Sequence, residues 1–216
     1  YAVYDDKIRL RQREQAEIES EMNLALEKGE FVMFLQPKVD VNTEQLCGAE
    51  ALVRWKHPIS GLRMPITFLD LFESNGFVTK LDQYMWEEAC KYLAVLKERG
   101  IQLPISVNIS RVNIHRDDLV STLTGLVKKY DIDPKMLELE ITENLFIDDV
   151  TQLFEQMKRL RKKGFVIQMD DFGSGYSSLN MLRRAPVDVL KIDRFFLYEI
   201  MSTERGRIIV ETSIRM

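Results

Sequence analysis

The run Met136-Leu137-Glu138-Leu139-Glu140-Ile141, followed by a helical stretch over residues 150–163 and then by Phe165-Val166-Ile167-Gln168-Met169-Asp170-Asp171, decides the fold class. Two short apolar runs flank one amphipathic helix that ends at Gly164. That is the pattern of a βαβ unit with parallel strands. Outward from it the alternation continues. Residues 103–109 read as a strand and 116–130 as a helix. Residues 177–183 read as a short helix, 187–192 as a strand and 203–216 as a helix. Upstream, two β-like stretches at 31–41 and 46–55, separated by Asn42-Thr43, read as an antiparallel hairpin. Helices are expected over 66–75 and 79–99, closed by Gly76 and Gly100. Residues 5–28 are polar, rich in helix formers and free of Gly and Pro. They form either a solvated helix packed by its last two turns or a connector from an upstream domain.

Side chains alternate along a strand, so polar faces can be read by parity. Glu50 and Arg54 share a face in 48–55. Ser106 and Asn108 lie opposite the apolar Ile105 and Val107. Glu138 and Glu140 oppose Leu137, Leu139 and Ile141. Gln168 lies with Asp170, and Lys191 with Asp193. Parallel strands are normally covered on both faces and read as apolar throughout. Polar residues on one parity near five successive C-terminal strand ends therefore point to a convergent site of the kind a βα-barrel builds there. A structural ion-pair network is the alternative. The candidate ligands Glu50, Asn108, Glu140, Asp170 and Asp171 are all oxygen donors, a set that suits Mg²⁺ or Mn²⁺. Four carboxylates exceed the needs of one such ion. Two ions roughly 3.5–4 Å apart can clamp the attacking and leaving oxygens of a phosphoryl displacement. Lys191 and Arg54 add positive charge on the same face, which favours phosphate chemistry.

Composition narrows the classes further. The 216 residues carry 30 Lys+Arg against 34 Asp+Glu, and 45% are hydrophobic. This excludes a disordered, collagenous or disulfide-rich chain and argues against duplex nucleic acid as the main partner. No apolar run is long enough to span a membrane, and the N-terminal residues do not read as a secretory signal. Cys47 and Cys90 read as free thiols of a reducing cytosol. With only two histidines, His57 and His115, a metal must be held by oxygen.

These residues resemble the EAL-domain family of bacterial cyclic di-GMP phosphodiesterases. The resemblance rests on six motifs, in order and at the family's spacing. They are Leu35-Gln36-Pro37-Lys38-Val39, Glu50-Ala51-Leu52-Val53-Arg54-Trp55, Ser106-Val107-Asn108-Ile109-Ser110, Glu138-Leu139-Glu140-Ile141-Thr142-Glu143, the run from Asp170 to Leu179, and Val187-Asp188-Val189-Leu190-Lys191-Ile192-Asp193. The resemblance implies a modified TIM barrel with an antiparallel first strand, here spanning residues 29–216 behind a helical connector at 1–28. It implies hydrolysis of cyclic di-GMP to linear pGpG with Mg²⁺ or Mn²⁺, and inhibition by Ca²⁺. Carried over by position, Glu50, Asn108, Glu140, Asp170 and Asp171 match metal ligands, and Lys191 matches the lysine near the nucleophilic water. Catalysis is thus assigned to Lys191, Glu50 and Asp170. Gln36, Arg54 and Asp193 match substrate contacts. Glu143 matches the support of the loop Gly173-Ser174-Gly175, which the family ties to dimerisation. A homodimer, an upstream GGDEF-type or sensory domain and a cytoplasmic location are expected, with any membrane anchor lying upstream. Ser174 replaces a commoner threonine. The family's later Glu and Gln motifs do not occur before Met216, so the last barrel strands are expected to be absent from this sequence. That departure keeps a rival open: a non-catalytic cyclic di-GMP sensor, or an open barrel that covers its edges by association.

Overall fold

The structure is a computed structural model that describes residues 6–146, 150–173, 179–194, 197 and 204. It opens with helix α1 (Asp6–Glu27), then strands β1 (Phe31–Val39), β2 (Leu46–His57) and β3 (Gly61–Arg63). Helices α2 (Leu69–Ser74) and α3 (Val78–Glu98) follow. The remaining order is β4 (Ile105–Asn108), α4 (Arg111–Ile114), α5 (Leu119–Lys129), β5 (Leu137–Thr142), α6 (Val150–Lys162), β6 (Ile167–Phe172), α7 (Leu179–Arg184) and β7 (Val189–Ile192). The hairpin and the alternation read from sequence are present. Two details differ. Residues 65–67 form a 3-10 turn starting at Pro65, so the helix expected from residue 66 begins at Leu69. Gly61 allows a short extra strand, β3, to fold back on β2. Of the helix expected over 203–216, all but Glu204 lies outside the described residues.

All strands join one sheet in the order β1-β2-β4-β5-β6-β7, with β3 beside β2. β1 and β2 pair antiparallel. Every later pair along that path is parallel. The sheet is strongly curled. A flat sheet would separate β2 from β7 by about 19 Å, four strand spacings. Yet Lys191 on β7 donates to Glu50 on β2 at 2.8 Å. The concave face is therefore the interior of a barrel, consistent with the expected modified TIM architecture.

The convex face carries the main core. Ile105, Val107, Leu137, Leu139, Ile141, Ile167 and Met169 pack on α3, α5 and α6. Helix α3 buries Leu81, Met85, Ala89, Leu93 and Leu96 at helical spacing. A second core is aromatic: Phe31, Trp55, Phe68, Phe72 and Phe77 cluster between the hairpin and α2. Ile18 and Ala25 of α1 are buried in this second cluster. Polar links hold α1 as well, through Glu21 to His57 at 3.0 Å and Glu17 to Arg63 at 2.9 Å.

Candidate functional site

The curl brings together side chains that alternate inward from six strands, β1, β2, β4, β5, β6 and β7. Lys191 Nζ donates to Glu50 Oε2 at 2.8 Å, Glu140 Oε2 at 2.7 Å and Asp170 Oδ2 at 2.8 Å. One carboxylate oxygen from each of these three residues lies within 4.8 Å of the others. Beneath them sits a second lysine. Lys38 Nζ donates to Ser106 Oγ at 2.7 Å, Glu140 Oε1 at 2.9 Å and Gln168 Oε1 at 3.0 Å. It also pairs with Glu138 at 3.9 Å, and the Gln168 amide donates to Glu138. Barrel interiors are usually filled by branched apolar side chains. This one is charged, and burying charge is costly without partners.

The electrostatics follow from that burial. Desolvation raises the Glu50 carboxyl, and the Lys191 hydrogen bond only partly offsets it. Desolvation also pushes Glu140 up, but its hydrogen bonds to Lys191 and Ser106 and the charges of both lysines outweigh it. The carboxyl ends below its ordinary value. Burial pulls Lys191 down, yet hydrogen bonds to Asp170, Glu140 and Glu50 win, so the ammonium form is strengthened. Four inward carboxylates (Glu50, Glu138, Glu140 and Asp170) face two ammonium groups. The deficit is two positive charges, which is the charge of one Mg²⁺ or Mn²⁺. The donors are all oxygen, and the Lys191 ammonium already stands as a cation among three of them. The residues fit a hard divalent ion.

The other expected site residues stand at different distances from this cluster. Asn108 is in register with Glu140 across β4 and β5. Asp171 follows Asp170 in left-handed backbone (φ 56°) and is exposed. Partial burial and then the charges of Asp170 and Asp193 raise its carboxyl. Gln36 pairs with Glu50 across the hairpin and lines a cavity of about 310 Å³ shared with Lys38, Glu50 and Lys191. Arg54 is turned elsewhere: its Nη1 donates to Val53 O at 2.7 Å and its guanidinium lies over the Phe34 ring. Asp193 follows β7, where its N–H donates to Phe172 O at 3.0 Å. Buried Glu143 accepts the Gly173 N–H at 2.8 Å. Gly173 is left-handed (φ 98°), a geometry that glycine adopts at no steric cost. Ser174 and Gly175 lie outside the described residues.

A second cavity of about 500 Å³ is lined by Asn108, in register with Glu140, though by no residue of the cluster itself. Leu52, Pro65, Leu69 and Met85 give it apolar walls, and Arg111 and Asn144 add polar groups. Asp82, half-buried on α3, also lines it. This residue accepts the Ser110 N–H at 2.9 Å and Asn113 Nδ2 at 2.8 Å, and so pins the segment after Asn108. Burial pushes its carboxyl up to about 6. A larger cavity, about 680 Å³, lies between α1 and the turn at Pro65–Thr67, but no residue of the cluster lines it. Reading the sequence missed Lys38 and Asp82 as site residues. Lys38 shares the parity of Gln36 on β1. Asp82 is a charged residue on the apolar face of a helix, one position after Leu81. Both signals were present.

The chain matches the EAL domain family model over residues 19–216. It is 34% identical over 214 residues to the cyclic di-GMP phosphodiesterase NbdA of Pseudomonas aeruginosa, an alignment covering 99% of this chain and 27% of NbdA. It is 33% identical over 217 residues to the uncharacterized protein sll1895 of Synechocystis, covering 99% of this chain and 31% of that one. Among solved structures, the PaMucR phosphodiesterase in complex with c-di-GMP superposes with a TM-score of 0.84 at 33% identity, over 91% of this chain and 80% of that one. The EAL enzyme Bd1971, bound to cAMP and cyclic di-GMP, gives a TM-score of 0.84 at 30% identity, over 94% of this chain and 56% of that one. The chain spans less than a third of the length of these two curated relatives.

Proposed function

The chain belongs to the EAL-domain family, and from that membership we propose that it hydrolyses cyclic di-GMP to linear pGpG. The observation that carries the reading is the convergence of Glu50, Glu140 and Asp170 on one cation position. Glu50, Asn108, Glu140, Asp170 and Asp171 would hold Mg²⁺ or Mn²⁺, with two ions the working number. Bound there, metal ions would supply charge neutralisation at the phosphate and would acidify a water. Lys191, freed from its carboxylates, turns its ammonium toward the attacking water and the charge that develops on the phosphoryl group. Gln36, Arg54 and Asp193 contact the nucleotide; for Arg54 this requires leaving the Val53 carbonyl. The apolar cavity beside Asn108 has room for a purine base. Glu143 buttresses the loop that begins at Gly173. Calcium, which prefers longer bonds and more ligands, would be held differently by these oxygens, and inhibition by Ca²⁺ is the expected outcome.

Around this domain we place an upstream GGDEF-type or sensory domain joined through residues 1–28, a homodimer formed at the Gly-rich loop, and a cytoplasmic setting. No helix among the described residues is long and apolar enough to cross a membrane. The test is chromatographic. With Mn²⁺, the full-length protein should convert cyclic di-GMP to pGpG, and Glu50→Ala should abolish turnover. An intact nucleotide after incubation with Mg²⁺ or Mn²⁺ defeats the proposal. Metal-independent binding without turnover would assign the sensor role instead.

A further inference from the structure

Glu140 is the residue on which the two lysines meet. Its side chain is fully buried and its oxygens are divided: Oε2 takes Lys191 at 2.7 Å and Oε1 takes Lys38 at 2.9 Å. The lysines are not equivalent. Lys191 Nζ sits within 2.8 Å of one oxygen from each of Glu50, Glu140 and Asp170. That is the place a cation held by those oxygens must take. Mg²⁺ binds oxygen at about 2.0–2.1 Å, so ion and ammonium cannot share it. Lys191 must give way as the ion enters. Lys38 is anchored from the opposite side. Its remaining partners, Ser106, Gln168 and Glu138, are outside the proposed ligand set. Gln168 is itself tied to Glu138. Bonded to β4, β5 and β6 at once, Lys38 is not free to follow the ion.

We infer that Lys38 is a positioning residue. It holds Oε1 of Glu140 so that Oε2 keeps facing the ion while Lys191 is displaced. The inference rests on the reading of Glu50, Glu140 and Asp170 as metal ligands. It also makes a prediction against simple electrostatics. Deleting a positive charge beside an anionic site should, by Coulomb attraction alone, tighten cation binding. Loss of a group that orients a ligand should weaken it.

Calorimetric titration of the full-length protein with Mn²⁺, in the absence of nucleotide, separates these outcomes. Lys191→Met should bind Mn²⁺ severalfold more tightly, because no ammonium competes. Lys38→Met should bind about 10–100-fold more weakly, the range for lost orienting partners of metal ligands. Lys38→Arg should recover part of the loss. With nucleotide and saturating Mn²⁺, Lys38→Met should lower kcat and leave KM nearly unchanged. Mn²⁺ affinity in Lys38→Met equal to or above that of the unsubstituted protein overturns the positioning role. Should Lys38→Met not fold, Ser106→Ala removes one anchor and should still weaken Mn²⁺ severalfold; unchanged affinity there overturns the role equally. Failure of the unsubstituted protein to bind Mn²⁺ is a separate result, which removes the metal reading itself and the inference with it.

Discussion

Asp82 shows how one half-buried carboxylate sets a pH dependence without touching the cluster. Burial raises its carboxyl to about 6, whereas an unfolded chain leaves an aspartate near about 3.9. The native state therefore holds an extra proton between these values. The stability linked to that proton is fully present below about pH 4 and is lost as pH rises through about 6. In Asp82→Asn, the amide oxygen can accept the same two bonds with no charge to bury. Urea unfolding between pH 4 and 7 should thus show the unsubstituted protein losing up to about 3 kcal/mol relative to the variant. Glu143→Ala frees the Gly173 N–H from its acceptor, and turnover should fall about 10–100-fold, as when a partner that orients a metal site is lost. Parity along the strands made Glu50, Glu140, Asp170 and Lys191 legible, because a charged residue opposite an apolar face has few bland explanations. Parity could not give the direction of Arg54, since a long side chain on the correct face can still turn to its own backbone. Asp82 escaped because helical periodicity weighs the apolar majority of a face and passes over the single polar member.

At the scale of elements, the sequence carried most where a stop signal was chemical. Gly29, Gly76, Gly100 and Gly164 each adopt positive φ beyond a helix, as their positions predict. At Gly164 (φ 94°) an added Cβ would meet Pro134 Cβ at an ordinary 3.4 Å, so the constraint there is the left-handed backbone. Gly164→Ala should cost about 1–3 kcal/mol, read as a lower unfolding midpoint. Phe72, fully buried, packs against the rings of Phe31, Trp55, Phe68 and Phe77. Phe72→Ala should destabilise by about 3–5 kcal/mol and loosen the seat of α1. The segment 61–68 was less legible. A three-residue strand and a 3-10 turn are too short to show a period, and Ile66 stays exposed, so its apolar side chain misleads.

For the whole molecule, the alternation of strands and helices was readable from periodicity, while the barrel was legible only through the one-parity polar residues and the family resemblance. Alternating strands and helices are equally compatible with an open sheet covered on both faces. Only contacts between distant strands decide in favour of a barrel interior. Those contacts leave the interior two positive charges short, so a bound divalent ion should stabilise the native state. At a Mn²⁺ concentration a hundredfold above its dissociation constant the gain is about 2.7 kcal/mol, visible as a raised unfolding midpoint that a chelator reverses. The ammonium clasp has one more consequence, in time rather than in energy. Lys191 and Glu50 are 141 residues apart in the chain, and Lys38 and Gln168 are 130 apart. Links of such high contact order form only after the intervening chain has been drawn together. The hairpin and the aromatic cluster, built largely from local neighbours, can assemble early. The ionic centre, whose links are long-range, is expected to be completed after them, so in a nascent chain the hairpin precedes the chemistry.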